Sequence, residues 1–197
     1  MIEVEKKFSL TEDQLKKIEK LAKFVSKKTF TDVYFDDANY SLTKKDWWLR
    51  QRDDKFELKI PIGLSAERRK LNVYDEITET NKIAEKIGVQ KNKTDFILEL
   101  KKNNLLPFCK LTTTRTKYTL DGFIIDIDEM DFGYSLCEIE KIAESESEIE
   151  KVTEEIFEFA KFLGLEIKSV PGKGKEYLWR NNRTHYDALV ASGTFHK

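Results

Sequence analysis

The chain alternates between short stretches in which apolar and polar residues alternate and longer stretches with helical periodicity. Because side chains i and i+2 share one face of a strand, regular alternation predicts half-buried strands. Strands of this kind, with one apolar and one polar face, are typical of antiparallel sheets. The predicted segments are residues 1–9, 27–37, 46–53, 56–62, 70–78, 105–118, 121–130 and 134–143.

Helical periodicity lies between and after these strands. Thr11 and Gln14 form a capping-box pattern ahead of an apolar stripe, which predicts the start of a helix. Ser145 with Glu148 marks a second helix start, and the apolar stripe that follows ends at Gly164. Shorter helices are predicted at about 80–88 and 94–103, and a short helix or strand near 174–181.

The polar faces of the predicted strands carry charges of one sign at adjacent positions. These are Glu3 and Glu5, Arg50 and Arg52, Asp126 and Asp128, and Glu138 and Glu140. Neighbouring like charges repel unless an opposite charge lies between them. Paired carboxylates suit a hard divalent cation, and paired guanidinium groups suit phosphate. The pattern favours a concave sheet that binds a metal–polyphosphate complex, and the alternative is an ordinary solvated sheet face.

The predicted fold is α+β, with a closed eight-stranded antiparallel barrel and helices outside it. About eight antiparallel strands can close into a barrel, and one lined with charge holds water and ligand. The apolar outer faces of the strands need cover, which amphipathic helices supply. We expect one domain over residues 1–180 and a dispensable tail over 181–197, with His185 and His196 at the surface. The basic run at 68–70 is predicted to be a solvated loop.

The composition excludes several classes of protein. The 35 basic and 36 acidic side chains give a net charge of −1, which is not typical of a nucleic-acid binder or a membrane-surface protein. No stretch approaches about 18 consecutive apolar residues, and the N-terminus lacks the apolar core of a signal peptide. Cys109 and Cys137 have no partner at metal-ligand spacing, so we expect reduced thiols. We therefore expect a cytoplasmic monomer with neither nucleic-acid nor membrane partners.

The charged segments resemble those of a known family. Glu3-Val-Glu5-Lys6-Lys7 resembles the ExExK signature of the CYTH proteins, also called triphosphate tunnel metalloenzymes. Matching residues follow in family order: Arg50-Gln-Arg52, Glu57-Leu-Lys59, Glu76, Arg115, Asp126, Glu138-Ile-Glu140 and Lys173. Within the family, the chain is most similar to the thiamine triphosphatase branch, through Asp32-Val-Tyr34-Phe-Asp36, Trp48-Leu-Arg50 and Asp131-Phe-Gly-Tyr134. The resemblance covers about residues 1–180.

The resemblance implies hydrolysis of the terminal phosphate of thiamine triphosphate, with Mg²⁺ or alternatively Mn²⁺ as cofactor. The implied phosphate ligands are Lys7, Arg50, Arg52, Lys59, Arg115 and Lys173, with Lys175 as an alternative to Lys173. The implied ligands of the principal metal ion are Asp126, Glu138 and Glu140. Glu3, Glu5 and Glu76 would serve a second ion or its waters. Tyr34 and Lys59 resemble the pair that helps to activate water.

The organic part of the substrate is the open question. Trp48 lies two residues before Arg50 and therefore shares its face. A cation over an indole gains about 0.5–2 kcal/mol, so Trp48 is a candidate contact for the thiazolium of thiamine. The alternative is that Trp48 only packs the tunnel wall. Two further functions stay open: hydrolysis of inorganic tripolyphosphate, and non-catalytic binding of polyphosphate or nucleotide.

Overall fold

Eight antiparallel strands close into a barrel in the computed structural model, which describes residues 2–62, 72–90 and 95–195. The strands are β1 (Ile2–Phe8), β2 (Lys23–Asp36), β3 (Trp48–Arg52), β4 (Lys55–Pro61), β5 (Asn72–Ile77), β6 (Leu106–Leu120), β7 (Phe123–Met130) and β8 (Tyr134–Ala143). Their order around the barrel is β1-β5-β4-β3-β2-β6-β7-β8. The predicted fold class is confirmed.

Helices surround the barrel in the described part of the chain. They are α1 (Glu12–Leu21), α2 (Thr80–Lys86), α3 (Phe96–Lys102), α4 (Ile149–Leu163), α5 (Lys173–Asn181) and α6 (Arg183–Ala191). Thr11 caps α1 through the predicted box, since its hydroxyl accepts from the Gln14 N–H and the Gln14 side chain accepts from the Thr11 N–H. Gly164 ends α4 with φ +80°.

The start of α4 differs from the prediction. A short 3₁₀ turn over Glu146–Glu148 precedes the helix, and no side-chain hydrogen bond from Ser145 caps it. The Glu148 carboxylate instead accepts the N–H of Glu144, one residue earlier than a capping box requires. The predicted helix is therefore present, but its first turn is tighter than the sequence pattern indicated.

The apolar outer faces of the strands pack under the helices, so that the charged faces point inward. Ile156 of α4 packs in one apolar cluster with Val4 and Ile139 of the barrel. Ile83 of α2 and Leu100 of α3 pack in a second cluster with Leu49, Leu58 and their neighbours. These two layers bury the backs of β1, β8, β3 and β4, which leaves the barrel interior to polar side chains.

Strand β2 is longer than predicted, because it begins at Lys23. It pairs with β6 from Lys23 to Asp36, whereas its pairing with β3 covers only residues 32–35. The first half of the strand is exposed on both faces, even at Phe24 and Val25, so it carries no alternating pattern that would reveal it. Cross-strand hydroxyl contacts such as Thr29 with Thr114, 3.0 Å apart, hold this ribbon together.

The C-terminal segment departs from the expected surface tail. Helix α6 packs through Leu189 on Leu178 of α5, and His185 is fully buried instead of lying at the surface. The basic run at 68–70 and His196 lie outside the described residues. Within the residues that the structure describes, no helix combines the length and apolar character that crossing a membrane requires.

Candidate active site

The barrel encloses a cavity of about 450 Å³, within the range of about 300–1,000 Å³ usual for ligand sites. Most of its lining is charged or aromatic. Every candidate site residue from the sequence lies in this lining except Asp126, which is fully buried behind it. The candidates in the lining are Glu3, Glu5, Lys7, Tyr34, Trp48, Arg50, Arg52, Lys59, Glu76, Arg115, Glu138, Glu140 and Lys173, and Lys175 lies there too.

Strand register sets most positive side chains opposite negative ones. Lys7 of β1 is opposite Glu138 of β8, and their charged atoms are 3.5 Å apart. Lys59 of β4 is opposite Glu76 of β5, with which it forms an ion pair. Opposite charges across a strand pair stabilise a sheet. The like-sign runs of the sequence are therefore largely neutralised within the protein itself.

Asp32 organises one side of the cavity, which we call the basic wall: Arg50, Arg52 and Lys173 around the Asp32 carboxylate. The carboxylate is fully buried and accepts hydrogen bonds from Arg52 Nε at 2.8 Å and from Lys173 Nζ at 2.8 Å. Although burial acts in the opposite direction, the three cations hold the pKa of Asp32 well below its usual range. Arg50 Nε is buried 3.9 Å from Asp32 and finds no hydrogen-bond acceptor among the described residues.

Arg115 lines the cavity and lies among carboxylates. Its guanidinium donates to Asp128 at 2.6 and 2.7 Å, to Glu138 at 2.7 Å, and to Asp126. Lys117 lies 3.2 Å from Asp126 Oδ2, while Asp126 Oδ1 is buried without a partner among the described residues. One acceptor of this group is therefore left for a cation or a proton.

Three carboxylates, Glu3, Glu5 and Glu140, form what we call the acidic cluster. Each offers an oxygen, and these oxygens lie within 4.8 Å of one another. Glu5 and Glu140 are directly opposite in the β1–β8 register. Burial raises the pKa of Glu140 to about 9, and repulsion from neighbouring carboxylates adds to this effect. Burial likewise raises the pKa of Glu3 to about 7, against the attraction of Lys59.

Tyr34 and Lys59 both retain their protons at neutral pH. Burial raises the pKa of the Tyr34 phenol, which is opposite Arg50 in the β2–β3 register. Burial alone would lower the pKa of Lys59, but the carboxylates of Glu5 and Glu3 raise it above its usual value. In this environment both groups are able to donate hydrogen bonds, and neither is suited to accept a proton.

The aromatic cluster, defined here as Trp48, Tyr34 and Phe195, lines another part of the cavity. The rings of Trp48 and Phe195 are stacked with centroids 6.2 Å apart, and Tyr34 meets Trp48 edge-on at 5.9 Å. The Trp48 Nε1–H donates to Asp46 at 2.9 Å. A Cβ added at Gly174 would lie 2.9 Å from Cζ3 of the indole, so a side chain there would displace Trp48.

Residues 1–171 match the CYTH domain. This chain belongs to the CYTH family. It is 29% identical over 210 residues to the thiamine-triphosphatase of Homo sapiens, an alignment that covers 96% of this chain and 90% of that protein. It is 27% identical to the thiamine-triphosphatase of Macaca fascicularis, with the same coverage. A solved structure from Pyrococcus horikoshii OT3 shares the fold, with a TM-score of 0.62 at 21% identity over 85% of this chain and 94% of that one.

The candidate metal ligands are grouped differently in this CYTH protein from the sets that the resemblance implied. Glu140 lies with Glu3 and Glu5, while Asp126 and Glu138 are joined through Arg115. Clustered carboxylate oxygens are the donors that Mg²⁺ and Mn²⁺ prefer. The facing carboxyl groups of the acidic cluster, and the oxygen of Asp126 that has no partner among the described residues, fit such a cation.

The structure separates the two lysines at the start of α5. Lys173 Nζ is bound to Asp32 in the basic wall, and Lys175 Nζ lies 5.0 Å over the ring of Phe195. Burial and the nearby arginines lower the pKa of Lys173 to about 8, although Asp32 acts against them. Both helices of this region, α5 and α6, lie beyond the family match of this CYTH protein.

Sequence reasoning missed three residues of the site. Asp32 could have been found, because it lies two residues before Tyr34 and so shares its face. Asp46 precedes β3 in a left-handed turn conformation with φ +61°, where no strand pattern points to a site. Phe195 reaches the cavity only through the packing of α6, for which the sequence of this CYTH protein carries no local signal.

Proposed function

We propose that this CYTH protein hydrolyses thiamine triphosphate to thiamine diphosphate and phosphate, with Mg²⁺ or Mn²⁺ as cofactor. One observation carries the proposal: a single cavity combines a basic wall, an acidic cluster and an aromatic cluster. These three parts suit the phosphates, the divalent cation and the positively charged ring of that substrate. The similarity to human thiamine-triphosphatase over 96% of this chain supports the same substrate.

The basic wall suits the phosphate chain because its cations line the cavity and are already oriented. Arg50 Nε is a buried donor without an acceptor among the described residues, which a phosphate oxygen would satisfy. Guanidinium groups bind phosphate oxygens in a bidentate geometry that an ammonium group does not reproduce. Asp32 holds Arg52 and Lys173 in place, so little reorganisation is needed when the substrate enters.

The acidic cluster would hold the divalent cation, with Asp126 and Glu138 as nearby donors. When bound, this ion withdraws charge from phosphate oxygens. Burial and the neighbouring carboxylates raise the pKa of Glu140, which is opposite Glu5, so a cation bound between the two groups would replace the proton of Glu140. Lys7 bonds both Glu5 and Glu138 and so orients the two carboxylates toward the cavity.

Hydrolysis then proceeds by in-line attack of water on the terminal phosphorus. Phosphoryl transfer depends on positioning and charge neutralisation, so no covalent nucleophile is required. Lys59 and Tyr34 keep their protons and donate hydrogen bonds to the attacking water or to phosphate oxygens. A carboxylate or a phosphate oxygen, and neither of these two groups, accepts the proton of the water.

The proposal is tested by measuring phosphate release from three substrates: thiamine triphosphate, tripolyphosphate and ATP. Each is measured with Mg²⁺ and with a chelator. We expect the highest kcat/KM for thiamine triphosphate and no release in the chelator. Trp48→Ala should lower kcat/KM for thiamine triphosphate by up to about thirtyfold, the loss of a cation–π contact, and spare tripolyphosphate. Release from none of the three substrates would refute hydrolysis and favour a binding module.

Inorganic tripolyphosphate hydrolysis is the second candidate function. The observation that favours it is the environment of Trp48, whose indole is already contacted by Phe195, Tyr34 and Gly174. Such contacts also fit a purely structural tryptophan. Faster turnover of tripolyphosphate than of thiamine triphosphate would establish this function and retain every phosphate and metal ligand. The cytoplasmic location, the monomeric state and the domain boundary at residue 180 stay predictions.

A further inference from the structure

The chain after α6 turns back into the cavity. Thr194 and Phe195 lie in the cavity lining, although they are 23 and 24 residues beyond the family match that ends at 171. Phe195 is 8% exposed and stacks on Trp48 with ring planes 15° apart. We propose that Phe195 is a specificity-determining residue, whose ring and the Trp48 indole form one platform for a planar, positively charged organic group. This inference rests on the proposed function and adds a residue to it.

The geometry of the platform limits how a ligand can bind. A third ring between the two would need about 7 Å, since carbon atoms in contact lie about 3.5 Å apart. The centroids of Phe195 and Trp48 are only 6.2 Å apart, so an organic ring must lie alongside the pair, on the cavity side. Asp46 binds the indole Nε1–H and lines the same cavity, which sets a carboxylate beside the platform. Aromatic faces next to a carboxylate favour a cationic ring. Lys175 Nζ already lies 5.0 Å over the Phe195 ring, so a cationic ligand ring must displace this ammonium group or bind beside Asp46.

Hydrogen bonds from α6 and from Thr194 position Phe195 against the loop between β2 and β3. His185 Nε2 lies 2.8 Å from Thr43 Oγ1, and the Thr43 hydroxyl donates its single proton to Asp36 at 2.6 Å. The hydrogen bond between His185 and Thr43 must therefore be donated by His185 Nε2, with the Thr43 oxygen as the acceptor. The Thr194 hydroxyl donates to the backbone carbonyl of Lys44 at 2.8 Å.

The loop that receives these bonds also carries Asp46, which orients Trp48. One loop therefore sets the positions of both platform rings. A segment that only covered the barrel would not need both rings to be positioned by the same loop. The arrangement indicates that the relative position of the two rings is determined by the fold, as a binding platform requires.

Equilibrium binding separates this role from general packing. Thiamine diphosphate and inorganic diphosphate, both with Mg²⁺, are titrated calorimetrically into wild type, Phe195→Leu and Phe195→Tyr. The matched control is Phe162→Leu, an aromatic residue on α4 that is 55% exposed and outside the cavity lining. We expect Phe195→Leu to weaken thiamine diphosphate by about 2- to 30-fold and leave diphosphate unchanged, the range of one cation–π contact. Phe195→Tyr, which keeps the ring, should restore binding.

Three results would overturn the proposal. They are equal affinity of the wild type for both ligands, an unchanged preference in Phe195→Leu, and equal weakening of both ligands in that variant. Melting temperatures of all variants show whether the last result reflects lost folding, in which case Phe195 is structural. Because the titration needs no turnover, a protein that prefers thiamine diphosphate but releases no phosphate would refute the proposed hydrolysis and retain the platform.

Discussion

Replacing Asp32 with asparagine tests how the basic wall is held together. The carboxylate is fully buried, bonded to Arg52 and Lys173, and 3.9 Å from Arg50. Asparagine has the same shape but removes the charge, and its amide NH₂ points a donor at one of the cations. The variant therefore leaves two buried cations, Arg50 and Lys173, and the partly exposed Arg52 without their common partner.

The expected loss of stability is large. Removing one partner of a buried ion pair costs about 3–5 kcal/mol, because the remaining charge stays desolvated. In a protein of this size about 1 kcal/mol corresponds to roughly 2–4 °C, so the melting temperature should fall by roughly 6–20 °C. Tripolyphosphate restores negative charge beside the same cations. It should therefore raise the melting temperature of Asp32→Asn by more than that of the wild type.

The effect also has a defined pH dependence. Lys173, Arg50 and Arg52 outweigh burial and hold the pKa of Asp32 below its usual value. A carboxyl group with a lowered folded-state pKa stabilises the protein above its unfolded pKa of about 3.9, and this stability is lost as the pH falls. The difference between wild type and variant should be constant from pH 7 to 5 and should narrow below about pH 4.

Urea unfolding followed by circular dichroism, with and without tripolyphosphate, is the measurement. Asp121→Asn is the matched control, since Asp121 is exposed in the β6–β7 turn. Its φ of +49° is tolerated by asparagine, so we expect a change within about 0.5 kcal/mol. A loss below about 1 kcal/mol for Asp32→Asn would refute the argument that a buried charge network holds the wall together. Equal stabilisation of both proteins by tripolyphosphate would refute the proposed phosphate position.

Three further predictions follow from single contacts. Gly174→Ala would place a Cβ within 2.9 Å of Trp48 and displace the indole. The kcat/KM for thiamine triphosphate should fall about tenfold, and the kcat/KM for tripolyphosphate should change little. Equal losses for the two substrates in steady-state kinetics would contradict this prediction. Glu140→Gln removes a facing carboxylate, so the metal-free protein should melt higher and half-maximal activity should need about tenfold more Mg²⁺; an unchanged Mg²⁺ titration would exclude Glu140 as a ligand. Burial lowers the pKa of His185 to about 4. As the pH falls, His185 is therefore protonated in the unfolded chain before it is protonated in the folded protein. The free energy of unfolding should fall by up to about 3 kcal/mol between about pH 6.5 and 4. His185→Gln should reduce this pH dependence, measured by urea unfolding.

The barrel could be predicted because its strands alternate strictly. Strand β8, for example, was predicted at 134–143 and spans Tyr134–Ala143. One face must be apolar to pack under helices, and the other must be charged to line the cavity, so period-two alternation is unavoidable. The sequence pattern did not predict the first half of β2. This segment forms an exposed ribbon with β6, in which neither face needs to be apolar.

The ion-pair partners of charged side chains were harder to predict than the strand faces on which those side chains lie. The sequence shows that Glu138 and Glu140 share a face, but only the register reveals that Glu140 meets Glu5 while Glu138 meets Lys7. The supposed repulsion within each like-sign run is mostly relieved across strands. Like-sign runs alone are therefore weak evidence for a bound ion, and the residual acidic cluster is the stronger evidence.

Contacts of the C-terminal segment could not be predicted at all. His185 is buried because Thr43 and Asp36, more than 140 residues earlier, supply its hydrogen-bond partner. Phe195 enters the cavity because α6 packs on α5. Neither outcome is encoded in local periodicity, so the default surface assignment for His185 is wrong.

The ion pairs across the cavity explain how a charged tunnel remains stable and still binds a charged ligand. Phosphate alone adds negative charge beside the carboxylate of Asp32, and a metal cation alone adds positive charge beside the ammonium group of Lys7. Each separate ligand therefore adds charge of one sign to a cavity whose own charges are largely paired. A metal–triphosphate complex brings both signs together and supplies partners to protein charges of both signs at once. We therefore expect the gain in melting temperature from Mg²⁺ and tripolyphosphate together to exceed the sum of their separate gains.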